Sequence, residues 1–124
     1  MFSNYETLKT ALKALTMTPV TTSEPEKTLP VAEEEWKTRP KTGSYGTITY
    51  YTEAGQANGD NKKNDRSFAG SFDLFSYNRD GEGWTQLIEN ALSEHCGASW
   101  EENSRQYERD TGLFHWEWVF EVTA

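Results

Sequence analysis

Histidine, cysteine and carboxylate side chains are the groups in this chain that could perform chemistry, and few of them have a useful spacing. The chain has one cysteine, Cys96, preceded directly by His95. Consecutive residues of a helix point about 100° apart, so these two cannot act as a hydrogen-bonded base and nucleophile. His115 and Glu117 share one face of a predicted strand, where they could form a base with its orienting acid or part of a weak metal site. No third ligand can be assigned, and we interpret them as a polar surface pair.

The remaining motifs predict no chemistry either. Gly81 and Gly83 form a G-x-G before a predicted helix, but the rest of the dinucleotide-binding fingerprint and its parallel-sheet context are absent from the sequence. A single cysteine cannot form an internal disulfide or a thiolate-rich zinc site. We therefore assign no catalytic residue, no cofactor-binding residue and no metal ligand, and we expect a protein that is not an enzyme and uses no cofactor.

The charge of the chain argues against tight binding to nucleic acid. It has 20 acidic and 12 basic residues, a net charge of -8, and residues 63–124 hold 12 of the acids but only 5 of the bases. Binding to phosphates depends on Lys and Arg that displace counterions. The sequence has neither an apolar stretch of membrane-spanning length nor the pattern of a signal peptide, so we expect a soluble protein made in the cytoplasm.

The elements that must position these residues follow from apolar periodicity. Residues 4–16 predict an amphipathic helix and residues 17–29 a loop, while residues 30–37 fit a helix or an edge strand, of which we predict the strand. Strands are predicted over residues 44–52 and 67–77. A second helix follows from Trp84 and ends at Gly97 in a left-handed cap. Two further strands form a hairpin around a three-residue turn, residues 110–112, and the last one alternates aromatic residues with His115, Glu117 and Glu121.

These elements predict the α+β fold class, with an antiparallel sheet of four to five strands and two helices packed on one face. The core must be built on rings, since the chain has 5 Trp, 6 Tyr and 6 Phe against few large aliphatic residues. We expect a single domain over residues 1–124, with flexible segments at residues 17–29 and 53–66. The second segment has no large apolar side chain, which is unusual for a connection between two strands.

The ordered pieces resemble a known family of phage proteins. They are the LKTALKAL helix, the PVAEEEWK segment, the stretch GSFDLFSYNRDGEGWTQLIENAL and the closing hairpin YERDTGLFHWEWVFEV. Together they resemble the tail completion, or tail-terminator, proteins of long-tailed bacteriophages, which join the tail tube to the head. The likeness covers most of the chain except residues 17–29 and 53–66. Asp73-Leu74-Phe75 and the turn from Thr111 to His115 are its most distinctive points.

The resemblance implies an α+β fold and a homo-oligomeric ring, usually a hexamer, which caps the tail tube protein and contacts a head-completion or neck protein. It implies no cofactor, no catalytic residue and no membrane, and it places the protein in the virion, at the interface of head and tail. The subunit could remain a monomer in solution until it meets the tube. Two alternatives stay open: a head-closure or neck component, and a small acidic regulator that binds a host protein.

Two sets of residues are candidates for contacts in such an assembly. Asp73, Glu117 and Glu121 could line the channel through which DNA passes, because negative walls repel phosphates; alternatively, they only keep the domain soluble. The charges of the 53–66 insertion alternate and could contact another subunit or the tube, although the segment could equally be a plain connecting loop. These charges belong to Asp60, Lys62, Lys63, Asp65 and Arg66.

Overall fold

The computed structural model describes residues 4–17, 26–55 and 66–123, which form two helices and two sheets. The elements are α1 (Asn4–Lys13), β1 (Thr16–Met17), β2 (Lys27–Thr28), β3 (Val31–Glu33), β4 (Ser44–Gly55), β5 (Arg66–Ser76), α2 (Trp84–Cys96), β6 (Trp100–Glu108) and β7 (Leu113–Thr123). Five strands lie in one sheet in the order β3-β4-β5-β7-β6, and β1 pairs with β2 in a small second sheet. The predicted α+β class, with an antiparallel sheet of four to five strands, is confirmed: the main sheet has five strands and is mostly antiparallel.

Both helices bury the apolar stripe that their sequences predict. In α1, Leu8 and Leu12 lie one turn apart and are fully buried, and in α2 the same holds for Ile88 and Leu92. Helix α1 ends at Lys13, three residues earlier than predicted, because Thr16 and Met17 leave to pair with β2. Gly97 caps α2 as predicted and has a positive φ of 61°, but its ψ of −120° lies outside the left-handed helical region.

The helices cover one face of the sheet, and the core lies between the helices and the sheet. Trp116, Trp118, Phe120 and Val122 of β7 all point to this side, as the alternation predicts. The indole N–H of Trp118 donates to Glu89 Oε2 at 2.9 Å, which satisfies the polar atom of a fully buried ring. The core residues are Tyr5, Leu8, Leu12, Leu29, Ile48, Phe72, Leu74, Trp84, Ile88, Ala91, Leu92, Trp116, Trp118, Phe120 and Val122.

Several strands differ from the predicted bounds. β4 is three residues longer than expected, and β5 has the expected length but begins and ends one residue earlier, so the two strands take in both ends of the 53–66 insertion. β1 and β2 contain parts of the predicted 17–29 loop. The predicted edge strand in residues 30–37 exists as β3, but it is short and runs parallel to β4. The β6–β7 connection has four residues, 109–112, instead of three, with Gly112 at a φ of 73°.

The chain turns away from the sheet directly after β3, at Glu34. This residue has a φ of 68°, in the left-handed region, and its N–H donates to the Ile48 carbonyl at 2.9 Å. Its side-chain Oε1 accepts the backbone N–H of Tyr50 at 3.1 Å. Glu34 thus continues the contact with β4 by one side chain where the strand pairing has ended. None of the helices in the described part of the chain is long and apolar enough to cross a membrane.

Candidate functional site

The face of the sheet opposite the helices, which we call the outer face, holds the predicted acidic residues. Asp73 of β5 and Glu117 of β7 are direct cross-strand neighbours, and Glu121 lies further along β7 opposite Ala69. Strand alternation and register put five carboxylates on this face, against one histidine. The five acids are Asp73, Glu101, Glu108, Glu117 and Glu121.

The three predicted acids differ in their surroundings. Asp73 is half-buried and its Oδ1 lies 2.7 Å from Nε2 of His115. Glu117 Oε1 accepts a hydrogen bond from Asn103 Nδ2 at 2.6 Å. Glu121 is exposed, and its backbone N–H donates to the Ser99 carbonyl at 2.8 Å. Asp73 is therefore part of a local cluster, whereas Glu117 and Glu121 lie on the open part of the outer face.

His115 is the centre of that cluster, because both of its ring nitrogens contact carboxylates. Nε2 contacts Asp73, and Nδ1 lies 3.2 Å from Oε2 of Glu108 at the end of β6. A carboxylate only accepts hydrogen bonds, so both contacts are hydrogen bonds when both ring nitrogens carry protons. Burial lowers the pKa of His115, but the hydrogen bonds and charges of Asp73 and Glu108 outweigh it, and the pKa is raised above 6.5.

A row of aromatic rings supports this histidine across the sheet. Tyr45 of β4, Phe75 of β5 and His115 of β7 are in register, and their rings stack with centroid distances of 5.1 and 4.2 Å. Trp36 closes the row, with its ring edge-on to Tyr45 and its indole N–H donating to the Gly46 carbonyl at 3.1 Å. Tyr45 is only 1% exposed. Burial, partly offset by Arg39, raises its pKa. The alternation in the sequence suggested a polar outer face, but the structure places this aromatic row on it.

Two shallow depressions flank the aromatic row. One, of about 320 Å³, is bordered by Glu34, Glu35 and Trp36 next to Asp73. The other, of about 550 Å³, lies over His115 and the β6–β7 turn. Arg39 and Phe75 belong to both. Among the residues that the structure describes, no group of three or more His, Cys, Asp or Glu side chains is placed to hold a metal ion.

The other candidate pair from the sequence, His95 and Cys96, lies on the opposite side of the sheet from His115. Cys96 packs against the helix-side core at the end of α2. Burial raises the pKa of its thiol to about 11, which keeps it protonated and a weak nucleophile at neutral pH. The structure therefore does not bring His95, Cys96 and His115 together.

The G-x-G sequence before α2 forms a tight left-handed turn. Gly81, Glu82 and Gly83 have φ values of 68°, 57° and 84°, and a Cβ at Gly81 would lie 3.2 Å from the Trp116 ring. The Glu82 side chain accepts a hydrogen bond from the hydroxyl of Ser44 at 2.7 Å. Gly81 therefore allows the turn to pack closely against the Trp116 ring, and the turn accounts for the motif without a nucleotide.

The predicted contact residues of the insertion fall largely outside the described residues. This holds for Asp60, Lys62, Lys63 and Asp65, while Arg66 begins β5 and its backbone pairs with Gly55. The sequence reasoning paired His115 with Glu117, its neighbour on the same strand, and missed Glu108 and the aromatic row. Both omissions involve cross-strand register, which no local pattern in the sequence specified.

Comparison with known proteins adds no family to this description. The chain matches no protein-family model, and no curated protein matches its sequence significantly.

Proposed function

We propose that this protein is a structural component of a long-tailed phage virion, which forms a ring on the tail tube and joins the tail to the head. The proposal rests on the family resemblance of the sequence and on one structural observation, the asymmetry of the sheet. One face is covered by α1 and α2, while the outer face carries five carboxylates and one histidine on its strands. A ring with this face inward has a negative wall.

Such a wall suits a channel through which DNA slides. Phosphates are repelled by fixed carboxylates, and the repulsion acts over about 8 Å at physiological salt, so it is felt by DNA that passes close to the wall. Glu117 and Glu121 lie on the open part of the outer face and supply this charge. Asp73 contributes less, because His115 lies beside it.

The sheet also offers two different surfaces for contacts between subunits. Its order places β3 and the far part of β4 at one edge and β6 at the opposite edge. A ring is built from heterologous contacts, in which a different patch of each subunit meets its two neighbours. The exposed strand β6, with alternating polar residues, and the β4 edge are suitable patches of this kind.

The proposal is tested in a phage that encodes this chain, with the gene interrupted by a nonsense codon. Electron microscopy of the resulting particles is expected to show separate heads together with tails of abnormal length or unsealed ends. Normal particles would refute the proposal. If the protein is instead absent from wild-type virions and co-purifies with a host protein, the acidic-regulator alternative replaces it.

Complementation of the same phage tests the channel. The double variant E117K/E121K is expected to restore joined particles but to slow DNA release, because two repulsive charges become attractive. E94K, which changes an exposed acid on α2, is the matched control and should behave as wild type. A map of the assembly with Glu117 and Glu121 on the outer wall would remove the channel role and leave the joining role to be judged by the nonsense mutant.

A further inference from the structure

His115 connects three strands of the outer face through its ring, and we propose that its protonation is a conformational switch. When both ring nitrogens carry protons, His115 links the Glu108 side chain at the end of β6 to Asp73 of β5. When one proton is lost, the Glu108 side chain is released and the β6–β7 turn changes conformation, while the backbone pairing of Glu108 with Leu113 is kept. This inference does not depend on the proposed role in a virion.

The geometry determines which of the two His115 contacts is lost on deprotonation. A neutral imidazole donates through one nitrogen only, so the lone pair of the other nitrogen then faces a carboxylate oxygen and repels it. The contact with Asp73, at 2.7 Å, is the shorter, and the contact with Glu108, at 3.2 Å, is the longer. Asp73 is also the less exposed of the two, at 14% against 31%. Deprotonation therefore releases Glu108.

Glu108 transmits this change to the turn. Its carbonyl accepts the N–H of Gly112 at 2.8 Å, and its Oε1 accepts the hydroxyl of Thr111 at 3.4 Å. Residues 109–112 are exposed or half-buried. A movement of the Glu108 side chain therefore breaks the Thr111 hydrogen bond and alters an exposed turn, while the Gly112 hydrogen bond to the Glu108 carbonyl remains.

The groups around His115 favour its charged form. Asp73 faces it from β5 and Glu108 from β6, while Glu117 lies next along its own face of β7. Other charged or titratable groups line the same depression or the aromatic row at greater range, and they add two cations, one carboxylate and two phenols. They are Arg39, Arg109, Asp110, Tyr45 and Tyr107. The two direct carboxylates thus dominate, in agreement with the raised pKa of His115.

The sign of the effect on stability follows from this direction. Because the pKa of folded His115 lies above the unfolded value of about 6.5, its contribution is fully present below pH 6.5. The contribution is lost as pH rises through the folded pKa. The switch is therefore closed in weak acid and opens as the pH rises through the raised pKa of His115.

The ring nitrogens of His115 allow a direct test by NMR on the full-length wild-type protein. They are followed from pH 5 to pH 10 in the folded protein and in the same protein unfolded in urea. We expect His115 to lose its second proton at a higher pH in the folded protein than in the unfolded protein. A folded His115 that titrates at or below its unfolded value would overturn the proposal.

The amide signals of residues 109–112 test the conformational part. In the wild type they are expected to shift with the same midpoint as the His115 ring, while the amides of residues 97–99 do not. In H115Q this transition should disappear, and H95Q is the matched control that should retain it. If residues 109–112 do not respond while the His115 ring titrates, the histidine is only a static ion pair and the switch is refuted.

Discussion

Asp73 and Glu117 face each other across β5 and β7, but only Asp73 contacts the imidazolium. We expect D73N to lower the free energy of unfolding by about 1.5–3 kcal/mol at pH 6, the usual value for a hydrogen bond to a charged group. Because charged His115 no longer contributes to stability above its raised pKa, the destabilisation caused by D73N should be smaller at pH 10. Urea unfolding at both pH values measures it. E117Q is the control and should change stability by less than about 0.5 kcal/mol.

The backbone of Glu82 allows the cost of a left-handed residue to be measured. E82A and E82G both remove the carboxylate that accepts from Ser44, and only the alanine keeps a Cβ at a φ of 57°. We therefore expect E82G to be more stable than E82A by about 1 kcal/mol, whereas in an ordinary helix alanine is favoured. Equal stabilities in urea would mean that the turn relaxes when the carboxylate is removed.

Gly70 of β5 lies where the sheet leaves no room for a Cβ. A Cβ at this position would lie 2.4 Å from the Thr49 carbonyl oxygen and 3.0 Å from the Phe120 ring. Because the first of these neighbours is backbone, G70A should cost about 3 kcal/mol, the upper end of the usual range for overpacking. G112A is the matched control, since Gly112 has a φ of 73° but a Cβ added there would have no neighbouring atom within 4 Å. It should cost only about 1 kcal/mol. Thermal unfolding of both variants compares the cost of steric overlap in G70A with the cost of a left-handed backbone in G112A.

The elements with a strong period were predictable from the sequence, and their register was not. The stripe of α2 and the alternation of β7 placed both faces of each element on the correct side. The β6–β7 turn was predicted with three residues but has four, so Glu108 pairs with Leu113 and reaches His115. Because side chains alternate along a strand, one residue in a turn decides which acid lies beside the histidine. The parallel pairing of β3 was likewise beyond a local pattern, since it depends on the path of residues 34–43.

At the scale of the whole molecule, the net charge of -8 determines how the protein meets nucleic acid. We expect no saturable binding of duplex DNA at 150 mM salt up to about 100 µM protein, because weak non-specific binders still rely on a basic surface. Fluorescence anisotropy with a labelled duplex measures this. E117R/E121R should bind more tightly than the wild type, with an affinity that falls as salt rises. Saturable binding by the wild type would contradict a repulsive channel.

The whole core was predictable in kind, and the outer face was not. The surplus of aromatic over aliphatic residues indicated a core of rings, and Trp118, Phe72 and Tyr5 lie in it. The same composition did not indicate a second set of packed rings, including Trp36 and Tyr45, on the other side of the sheet. Trp36 packs edge-on against Tyr45, and its position depends on tertiary contacts such as its hydrogen bond to the Gly46 carbonyl.

The carboxylate of Glu34 also affects how easily the protein can form fibrils through the β4 edge. It occupies the backbone N–H of Tyr50, the position at which a strand from another molecule would begin to extend the β4 edge. Exposed edges template fibrils when their N–H groups are open, and an acidic side chain bonded to such a group is a natural guard against them. Growth of a fibril from this point first requires the displacement of that side chain, which adds an energetic cost to strand pairing at this position.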